Sequence, residues 1–294
     1  MTDTARAIAM IRRLVAFDTT SALSNLALIE DVKTYLAGHG IDSRLTFDEA
    51  HGKANLYATI GPKDKGGIVL SGHTDVVPVE GQIWATDPFA VVEKDGRLYG
   101  RGTSDMKSFI AIALMLVPEL VKMDLKTPIH FAFSFDEEVG CFGVKHLIRD
   151  IVENFPLPRA VIIGEPTEMK LVTAHKGVQA YRVEVTGVAG HSSLPQNGVN
   201  AVFAATDLIQ TVKAMQEAAK QRPSAEAFEP PYSSFNVGRI EGGTAGNIIP
   251  QNCNFSVEMR IVPEDDGQAM EAELRAAVEA LDAELKKQSP KAGA

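Results

Sequence analysis

The sequence predicts an α/β protein with two domains, and three observations support this fold class. Helical periodicities alternate with short apolar runs through the first half, as in layered folds that pack helices against a sheet. The second half changes to the order strand, helix, strand, strand, helix. The length of 294 residues suits two domains at roughly 150 residues each, and we place their boundary between residues 176 and 177.

Helices and strands follow one another through the first domain. Apolar residues at helical spacing predict helices over residues 8–15, 28–36 and 108–121. Alternation predicts a strand over residues 55–60, and the Asp95-Gly96 pair predicts a hairpin between residues 89–92 and 97–99. Continuous apolar runs, typical of strands buried on both faces, occupy residues 67–71, 129–135 and 160–163.

The second domain has a different pattern. An alternating strand over residues 178–186 precedes a long amphipathic helix over residues 200–221. Two further strands, at residues 235–240 and 253–261, flank a Gly-rich loop, and a last helix covers residues 268–287. This order lacks only one closing strand of the split βαβ motif.

Charge and composition exclude several classes of protein. The chain has 29 Lys and Arg against 38 Asp and Glu, so its net charge is −9. It contains no run of basic residues that would favour binding to nucleic acid or to an anionic membrane. The longest apolar run, residues 109–117, is too short to span a bilayer, and the N-terminus lacks a signal-peptide pattern. Only two cysteines are present, which suits a reducing cytoplasm, and we expect Cys141 to be a packing residue rather than a nucleophile.

Acidic and histidine side chains follow the three apolar strands. In open α/β sheets, ligand sites form at the carboxyl ends of the strands, so parallel strands would bring these groups to one edge. Carboxylates that converge repel one another unless cations or protons neutralise them. Histidine nitrogen with carboxylate oxygens is a zinc-type donor set, with cobalt or manganese possible. The residues are His73, Asp75, Asp136, Glu137, Glu138 and Glu165, with Asp105 just before a helix.

Spacing indicates roles for some of these residues. Asp75 lies two positions after His73, on the same side of an extended chain, and can therefore fix the tautomer of that imidazole. The adjacent side chains of Glu137 and Glu138 diverge, so one can ligate a metal while the other acts as a general base. The residues alone do not decide which glutamate does which, but such a site would hydrolyse amides.

At these segments the sequence resembles the di-zinc aminoacylase and carboxypeptidase family, which includes acetylornithine deacetylase and succinyl-diaminopimelate desuccinylase. The resemblance runs in order through SGHTDVVPVEGQIWATDPF, YGRGTSDMKSF, SFDEEVGCFGV, IIGEPT, AHKG, AGHSS and GGTAGNIIP. It is strongest toward the acetylornithine deacetylases in DEEVGCFGV, GEPTEMKLVTAHKG and GHSSLPQNGVNA. It implies a phosphorylase/hydrolase-like mixed-sheet catalytic domain and a smaller α+β, ferredoxin-like domain for lid and dimer formation.

The resemblance also implies a role for each acidic residue. His73 and Glu165 would bind one metal ion, and Asp105 would bridge two ions. Glu138 would bind the second ion and Glu137 would be the general base, with Asp75 supporting His73. The implied cofactor is Zn²⁺, two ions in the family, with Co²⁺ possible.

Three residues of the second domain match family positions that contact substrate. His191 in AGHSS would reach the neighbouring subunit's site and stabilise a tetrahedral intermediate, which implies a homodimer through the lid domain. Asn247 and Arg260 would bind substrate, since an Arg fork suits an α-carboxylate. Taken alone, each has a simpler interpretation: a loop histidine, a turn residue and a strand-edge charge.

The implied reaction removes the acetyl group from N2-acetyl-L-ornithine, giving acetate and L-ornithine for arginine biosynthesis. The alternatives are succinyl-diaminopimelate desuccinylation or hydrolysis of another small N-acyl amino acid, and, from a different class, a non-catalytic fragment acting in binding or dimerisation. Phosphate binding at YGRGTS lacks both the Walker and the dinucleotide patterns.

The sequence departs from the family pattern in its histidines. The family takes a further histidine ligand from a segment after the lid, whereas the seven histidines here are His39, His51, His73, His130, His146, His175 and His191. One metal site would therefore have three ligands, and the other only Asp105 and Glu138. We expect a C-terminally truncated chain that lacks the last lid strand, with an incomplete catalytic domain.

Overall fold

The structure, a computed structural model, describes residues 2–222 and 225–294. It divides the chain into two compact units, Met1–Lys170 and Leu171–Ala294. This division falls before the predicted boundary. Residues 171–176 belong to no helix or strand and are mostly exposed, and Lys176 Nζ donates a hydrogen bond to the Tyr232 carbonyl within unit 2, 2.9 Å away. No helix in the described residues has both the length and the apolar character needed to cross a bilayer.

Unit 1 alternates helices and strands, in agreement with the predicted α/β class. Its elements are α1 (Asp3–Val15), α2 (Leu26–Ala37), β1 (Ser43–Phe47), β2 (Ala54–Ile60), β3 (Ile68–His73), β4 (Val92–Lys94), β5 (Arg97–Tyr99), α3 (Lys107–Met115), α4 (Val117–Leu120), β6 (Ile129–Ser134), α5 (Phe142–Asn154) and β7 (Ala160–Ile163).

Five of these strands form a mixed sheet in the order β1-β2-β6-β3-β7. Strand β3 runs parallel to both β6 and β7, whereas β2 is antiparallel to β6 and to β1. The carboxyl ends of β3, β6 and β7 therefore point the same way, and the acidic segments predicted to converge follow these three ends.

Helices cover both faces of the sheet. Leu14 of α1, Leu28 of α2 and Ile110 of α3 are buried in one cluster with Phe131 and Phe133 of β6. Helix α5 contributes Leu147 to a second, smaller cluster that includes Ala132, the residue between those two phenylalanines. Because successive strand residues point to opposite faces, the two clusters lie on opposite sides of the sheet.

Strand β7 is less covered than its apolar sequence predicts. Val161, Ile162 and Ile163 remain 50%, 51% and 62% exposed, so the prediction of a strand buried on both faces is wrong here. The reason is topological: β7 is the edge strand, and among the described residues it pairs only with β3. Strand β6 lies inside the sheet and is buried along almost its whole length.

Unit 2 contains the strand and helix order expected from the sequence. Its elements are β8 (Gly177–Thr186), β9 (Gly190–His191), a 3-10 turn (Pro195–Asn197), α6 (Ala201–Ala219), β10 (Ser234–Gly242), β11 (Ile248–Ile249), β12 (Asn252–Ile261) and α7 (Gly267–Gln288). Strands β10, β12 and β8 form an antiparallel sheet in that order. Alternate residues of β12 are buried with α6 and α7, which places both helices on one face.

Sequence patterns missed or misplaced several elements. Strand β1, helix α5 and the short β9–β11 ladder had no prediction, and the first hairpin strand is Val92–Lys94 rather than residues 89–92. The helix predicted over residues 108–121 is two helices, because Pro118 lies in the first turn of α4, where a missing N–H is tolerated. Helix α5 begins directly after Cys141, whose backbone is in the left-handed region. No side chain caps this helix end, so the sequence contains no signal for its start.

We predict that Gly164→Ala destabilises unit 1 where the sheet approaches α3. A Cβ atom at Gly164 would lie 2.0 Å from Cγ of Phe109, so strand and helix must separate. Overpacking of this kind costs about 1–3 kcal/mol in the free energy of unfolding. Urea denaturation measures the change. Gly52→Ala is the control, since its Cβ atom would lie 3.8 Å from Oδ2 of Asp48, an ordinary van der Waals distance. Equal stability of the two variants would contradict the prediction.

Candidate metal centre

Besides Asp75, four carboxylates surround the imidazole of His73 in unit 1. His73 Nε2 lies 3.0 Å from Asp105 Oδ1, 3.8 Å from Glu137 Oε2 and 3.7 Å from Glu165 Oε1. Ligand atoms lie within 4.8 Å of one another in two groups, one of His73, Glu137 and Glu165 and one of His73, Asp105 and Glu138. The structure thus brings together every residue of unit 1 that was predicted to bind metal, and also the predicted base, Glu137.

The topology of the sheet explains this convergence. His73 is the last residue of β3, and Glu165 comes two residues after β7. Glu137 and Glu138 follow β6, and Asp105 precedes α3 across a cis peptide bond to Met106. Since β3, β6 and β7 are parallel, side chains at their carboxyl ends reach the same edge of the sheet.

The orientation of His73 is set by Asp75. His73 Nδ1 lies 2.9 Å from the main-chain carbonyl oxygen of Asp75 and 3.6 Å from its Oδ1 atom. The sequence predicted a carboxylate contact, but the carbonyl oxygen is the closer acceptor. An Nδ1–H that donates to it leaves Nε2 free to face the carboxylates, as a metal ligand must.

The acidic surroundings favour a protonated His73. Burial opposes the charged imidazolium, but Asp75, Glu165 and Glu137 outweigh it and raise the pKa of His73 to about 9. In the absence of a cation, a proton on this ring therefore offsets part of the negative charge. A metal ion that binds Nε2 must displace that proton.

Asp75 fixes the loop that carries the two glutamates. Its side chain is buried, and it accepts hydrogen bonds from Ser21 Oγ at 2.7 Å, from the Glu137 N–H at 3.1 Å and from the Glu138 N–H at 3.3 Å. Burial opposes ionisation, but His73 and these donors keep the pKa of Asp75 below its ordinary value. Asp75 is therefore a carboxylate, and it joins β3 to the segment after β6.

The same electrostatics indicate a site for a divalent cation. Burial and the neighbouring Asp105 raise the pKa of Glu138, and burial together with Asp105 and Glu137 raises that of Glu165 although His73 opposes it. A divalent ion would remove this repulsion. One imidazole nitrogen with several carboxylate oxygens fits zinc, and also cobalt or manganese.

The three predicted substrate residues all belong to unit 2. His191 ends β9 and pairs with Ile248 of β11, so Asn247 is its near neighbour: the Asn247 carbonyl accepts the Ser192 N–H at 3.0 Å. The hydroxyl of Ser193 lies 2.7 Å from His191 Nδ1. Arg260, on β12, is paired with Glu258 through Nε at 2.8 Å.

Cys141 differs from its prediction as a packing residue. It is exposed, because it lies in the turn between β6 and α5 rather than on a packed face. Its Sγ atom is 3.6 Å from Glu137 Oε1, and burial together with Glu137 raises the pKa of the thiol. A raised pKa disfavours the thiolate, which a nucleophilic cysteine needs.

Sequence reasoning missed two residues behind the cluster. Ser21 donates to Asp75, and Lys53 Nζ lies 2.5 Å from both the Ser21 carbonyl oxygen and Asp136 Oδ1. Both come from loops far along the chain from the acidic segments, and no spacing or motif connects them. Asp136 was noted only as part of an acidic run.

The family model described as peptidase family M20/M25/M40 matches residues 69–292. A curated acetylornithine deacetylase of Myxococcus xanthus is 39% identical over 269 residues, covering 90% of this chain and 69% of the relative. One of Proteus mirabilis is 35% identical, covering 87% of this chain and 67% of the relative. The chain thus spans about two thirds of the length of these relatives.

Solved structures show the same fold at low sequence identity. An M20 family metallo-carboxypeptidase from Sulfolobus solfataricus superposes with a TM-score of 0.73 at 18% identity, covering 94% of this chain and 75% of that one. A dinuclear metal-binding peptidase of the M20 family from Bacillus subtilis gives a TM-score of 0.61 at 16% identity, with coverages of 96% and 71%. The family model covers the strands that carry the acidic cluster as well as unit 2, and the chain belongs to peptidase family M20/M25/M40 as a metal-dependent amide hydrolase.

Proposed function

We propose that the protein removes the acetyl group of N2-acetyl-L-ornithine, giving acetate and L-ornithine for arginine biosynthesis. Convergence of His73, Asp105, Glu137, Glu138 and Glu165 supports hydrolysis of an amide bond at this site. The substrate assignment depends on one observation, the 35–39% identity to proteins named acetylornithine deacetylase.

In this proposal the cluster holds two zinc ions, which cobalt can replace. His73 and Glu165 would hold the first ion, Glu138 would hold the second, and Asp105 would serve both. Such ions polarise the amide carbonyl and make water a better nucleophile near neutral pH. Asp75 keeps Nε2 of His73 directed at the site through its carbonyl oxygen, 2.9 Å from Nδ1.

Glu137 is the general base of the reaction. Its side chain is 39% exposed, so water and substrate can reach it, whereas its backbone is held by Asp75. It takes a proton from the attacking water and delivers it to the departing amine, which leaves as the free amino group of ornithine.

Unit 2 supplies the groups that recognise the small-molecule substrate. We assign stabilisation of the tetrahedral intermediate to His191 and substrate binding to Asn247 and Arg260. Arg260 pairs with Glu258, but both side chains are half-exposed, at 50% and 40%, and an exposed ion pair of this kind contributes little stability. A substrate carboxylate can therefore replace Glu258 as the partner of Arg260.

Two further proposals concern the assembled protein. We infer a homodimer through unit 2, in which His191 serves the partner's site, and we infer a cytoplasmic location, which its two free thiols suit. Sedimentation velocity tests the first: a dimer is expected, and a monomer that retains full turnover would contradict it.

Steady-state rates on two substrates test the main proposal. With Co²⁺ or Zn²⁺ added, kcat/KM for N2-acetyl-L-ornithine should exceed that for N-succinyl-diaminopimelate. Preference for the succinyl compound would favour the desuccinylase alternative. Metal binding with no hydrolysis of either compound would favour a binding or dimerisation role.

Replacing each of the two adjacent glutamates in turn tests which one is the base and which one is the metal ligand. Glu137→Gln removes a base and should lower kcat by about 10²–10⁴-fold while leaving the number of bound metal ions unchanged. Glu138→Gln removes a ligand and should lower the metal content. Kinetics and metal analysis of both variants check this, and loss of metal in Glu137→Gln alone would reverse the two assignments.

Metal affinity should increase with pH up to the pKa of His73. That pKa is about 9 in the metal-free chain, and a metal ion needs the neutral ring, so below it each pH unit gained should raise affinity about tenfold. Calorimetric titration with Co²⁺ in two buffers of different ionisation enthalpy should show about one proton released near neutral pH. An affinity independent of pH between about 7 and 9 would show that His73 is already neutral.

A further inference from the structure

A partly buried lysine that belongs to no motif, Lys53, contacts the loop that carries Glu137 and Glu138. Lys53 and Asp136 have side chains only 18% and 17% exposed, and Nζ lies 2.5 Å from Asp136 Oδ1. The same Nζ lies 2.5 Å from the carbonyl oxygen of Ser21. An ion pair this sheltered is screened by solvent much less than the exposed pairs elsewhere on the chain.

The backbone on both sides of Lys53 is fixed. Its N–H donates to Asp48 Oδ1 at 2.9 Å, and the next N–H, that of Ala54, donates to the buried side chain of Asn25 at 2.9 Å. The Asn25 amide returns a hydrogen bond to the Ala54 carbonyl at 2.8 Å. The ammonium group is therefore presented from a rigid point at the start of β2.

Asp136 is where the chain turns away from β6. Its φ angle is 55°, in the left-handed region that aspartate tolerates better than most residues. Its carbonyl oxygen accepts the Phe142 N–H at 3.0 Å, and that of Glu137 accepts the Cys141 N–H at 3.0 Å. The direction in which Glu137 leaves the sheet depends on this turn.

Lys53 and Asp75 hold the loop from two sides. Lys53 binds the Asp136 side chain and the Ser21 carbonyl, while the hydroxyl of Ser21 donates to Asp75 Oδ2 at 2.7 Å. Asp75 in turn accepts the N–H groups of Glu137 and Glu138. The contacts form a closed chain of hydrogen bonds from Lys53 through Ser21, Asp75 and the loop back to Lys53.

We propose that Lys53 is a positioning residue that sets the Glu137–Glu138 loop, and so determines where the base and the second-ion ligand lie. Its ammonium group does not touch the reacting atoms, and it acts through Asp136 and Ser21. The proposal rests on the proposed function for its effect on turnover, but the effect on the loop itself does not depend on metal or substrate.

The first test uses hydrogen exchange of the metal-free chain. Lys53→Met keeps the length of the side chain and removes its charge. The amides of residues 136–141 should therefore exchange about 10–100-fold faster, since hydrogen bonds to charged groups contribute about 1.5–3 kcal/mol. Lys63→Met is the matched control, because Lys63 follows the other end of β2 and is 73% exposed. Amides of β6, which lies inside the sheet of unit 1, give the internal reference for destabilisation of the whole unit.

The second test measures function. Lys53→Met should weaken Co²⁺ binding or lower kcat by about 10–100-fold with KM little changed, the size expected for a residue that orients ligands. It should also alter the visible absorption spectrum of the cobalt-loaded protein. Lys53→Arg retains charge and donors and should recover most of the affinity.

A double substitution guards against misfolding as the explanation. Asp136→Asn replaces the carboxylate with an uncharged amide, and asparagine also tolerates the left-handed turn, so this variant should reproduce the Lys53→Met effect. The Lys53→Met/Asp136→Asn protein should then lose less than the sum of the two single effects. Unchanged exchange and unchanged Co²⁺ affinity in Lys53→Met, or equal effects from Lys63→Met, would overturn the proposal. Faster loop exchange in a protein whose parent shows no turnover would instead reject the proposed function and leave the role of Lys53 intact.

Discussion

Concentrating four carboxylates around one buried imidazole is the constraint that the rest of unit 1 depends on. Burial and mutual repulsion raise the pKa values of Glu138 and Glu165, so the arrangement is costly in a chain without a cation. Parallel strand ends alone would not hold it, because repelling groups on loops move apart. The cluster persists because its backbone is tied down at Asp75, which is buried and accepts three hydrogen bonds.

Two lysines outside the acidic cluster offset part of its negative charge. Lys107 follows Asp105 by two residues, is fully buried, and donates to the Phe17 carbonyl at 2.7 Å. Burial lowers the pKa of Lys107 to about 8, although Asp18 and Asp75 raise it. Lys107 is bound to a main-chain carbonyl and Lys53 is paired with Asp136, so among the described contacts neither lysine occupies a candidate ligand atom. A cation entering the site thus meets carboxylates that are fixed in place but not already paired with lysine.

The sequence predicted the acidic cluster better than it predicted the residues that hold the cluster in place. His73, the glutamates and Glu165 follow short apolar runs, and the physics of parallel strands is enough to place them together. Ser21 and Lys53 lie in irregular segments whose positions depend on tertiary contacts, so no period or spacing could reveal them. The burial of β7 was overestimated for a related reason: Val161 to Ile163 form an apolar run like that of a central strand, and hydrophobicity alone does not say which strand is at the edge.

Glu137 belongs to one group of candidate ligand atoms with His73 and Glu165, so it lies beside the charged ring as well as beside another carboxylate. With a pKa of about 9 the ring is protonated near neutral pH in the chain without a cation, and its Nε2 lies 3.8 Å from Glu137 Oε2. A ligand nitrogen must be neutral, so a cation that binds Nε2 takes the place of this proton and is itself the positive charge beside Glu137. The Glu137 N–H is bound to Asp75, and the Glu138 carboxylate belongs to a second group of candidate ligands with His73 and Asp105. Because both groups share His73, a cation at this nitrogen lowers the repulsion around both adjacent glutamates.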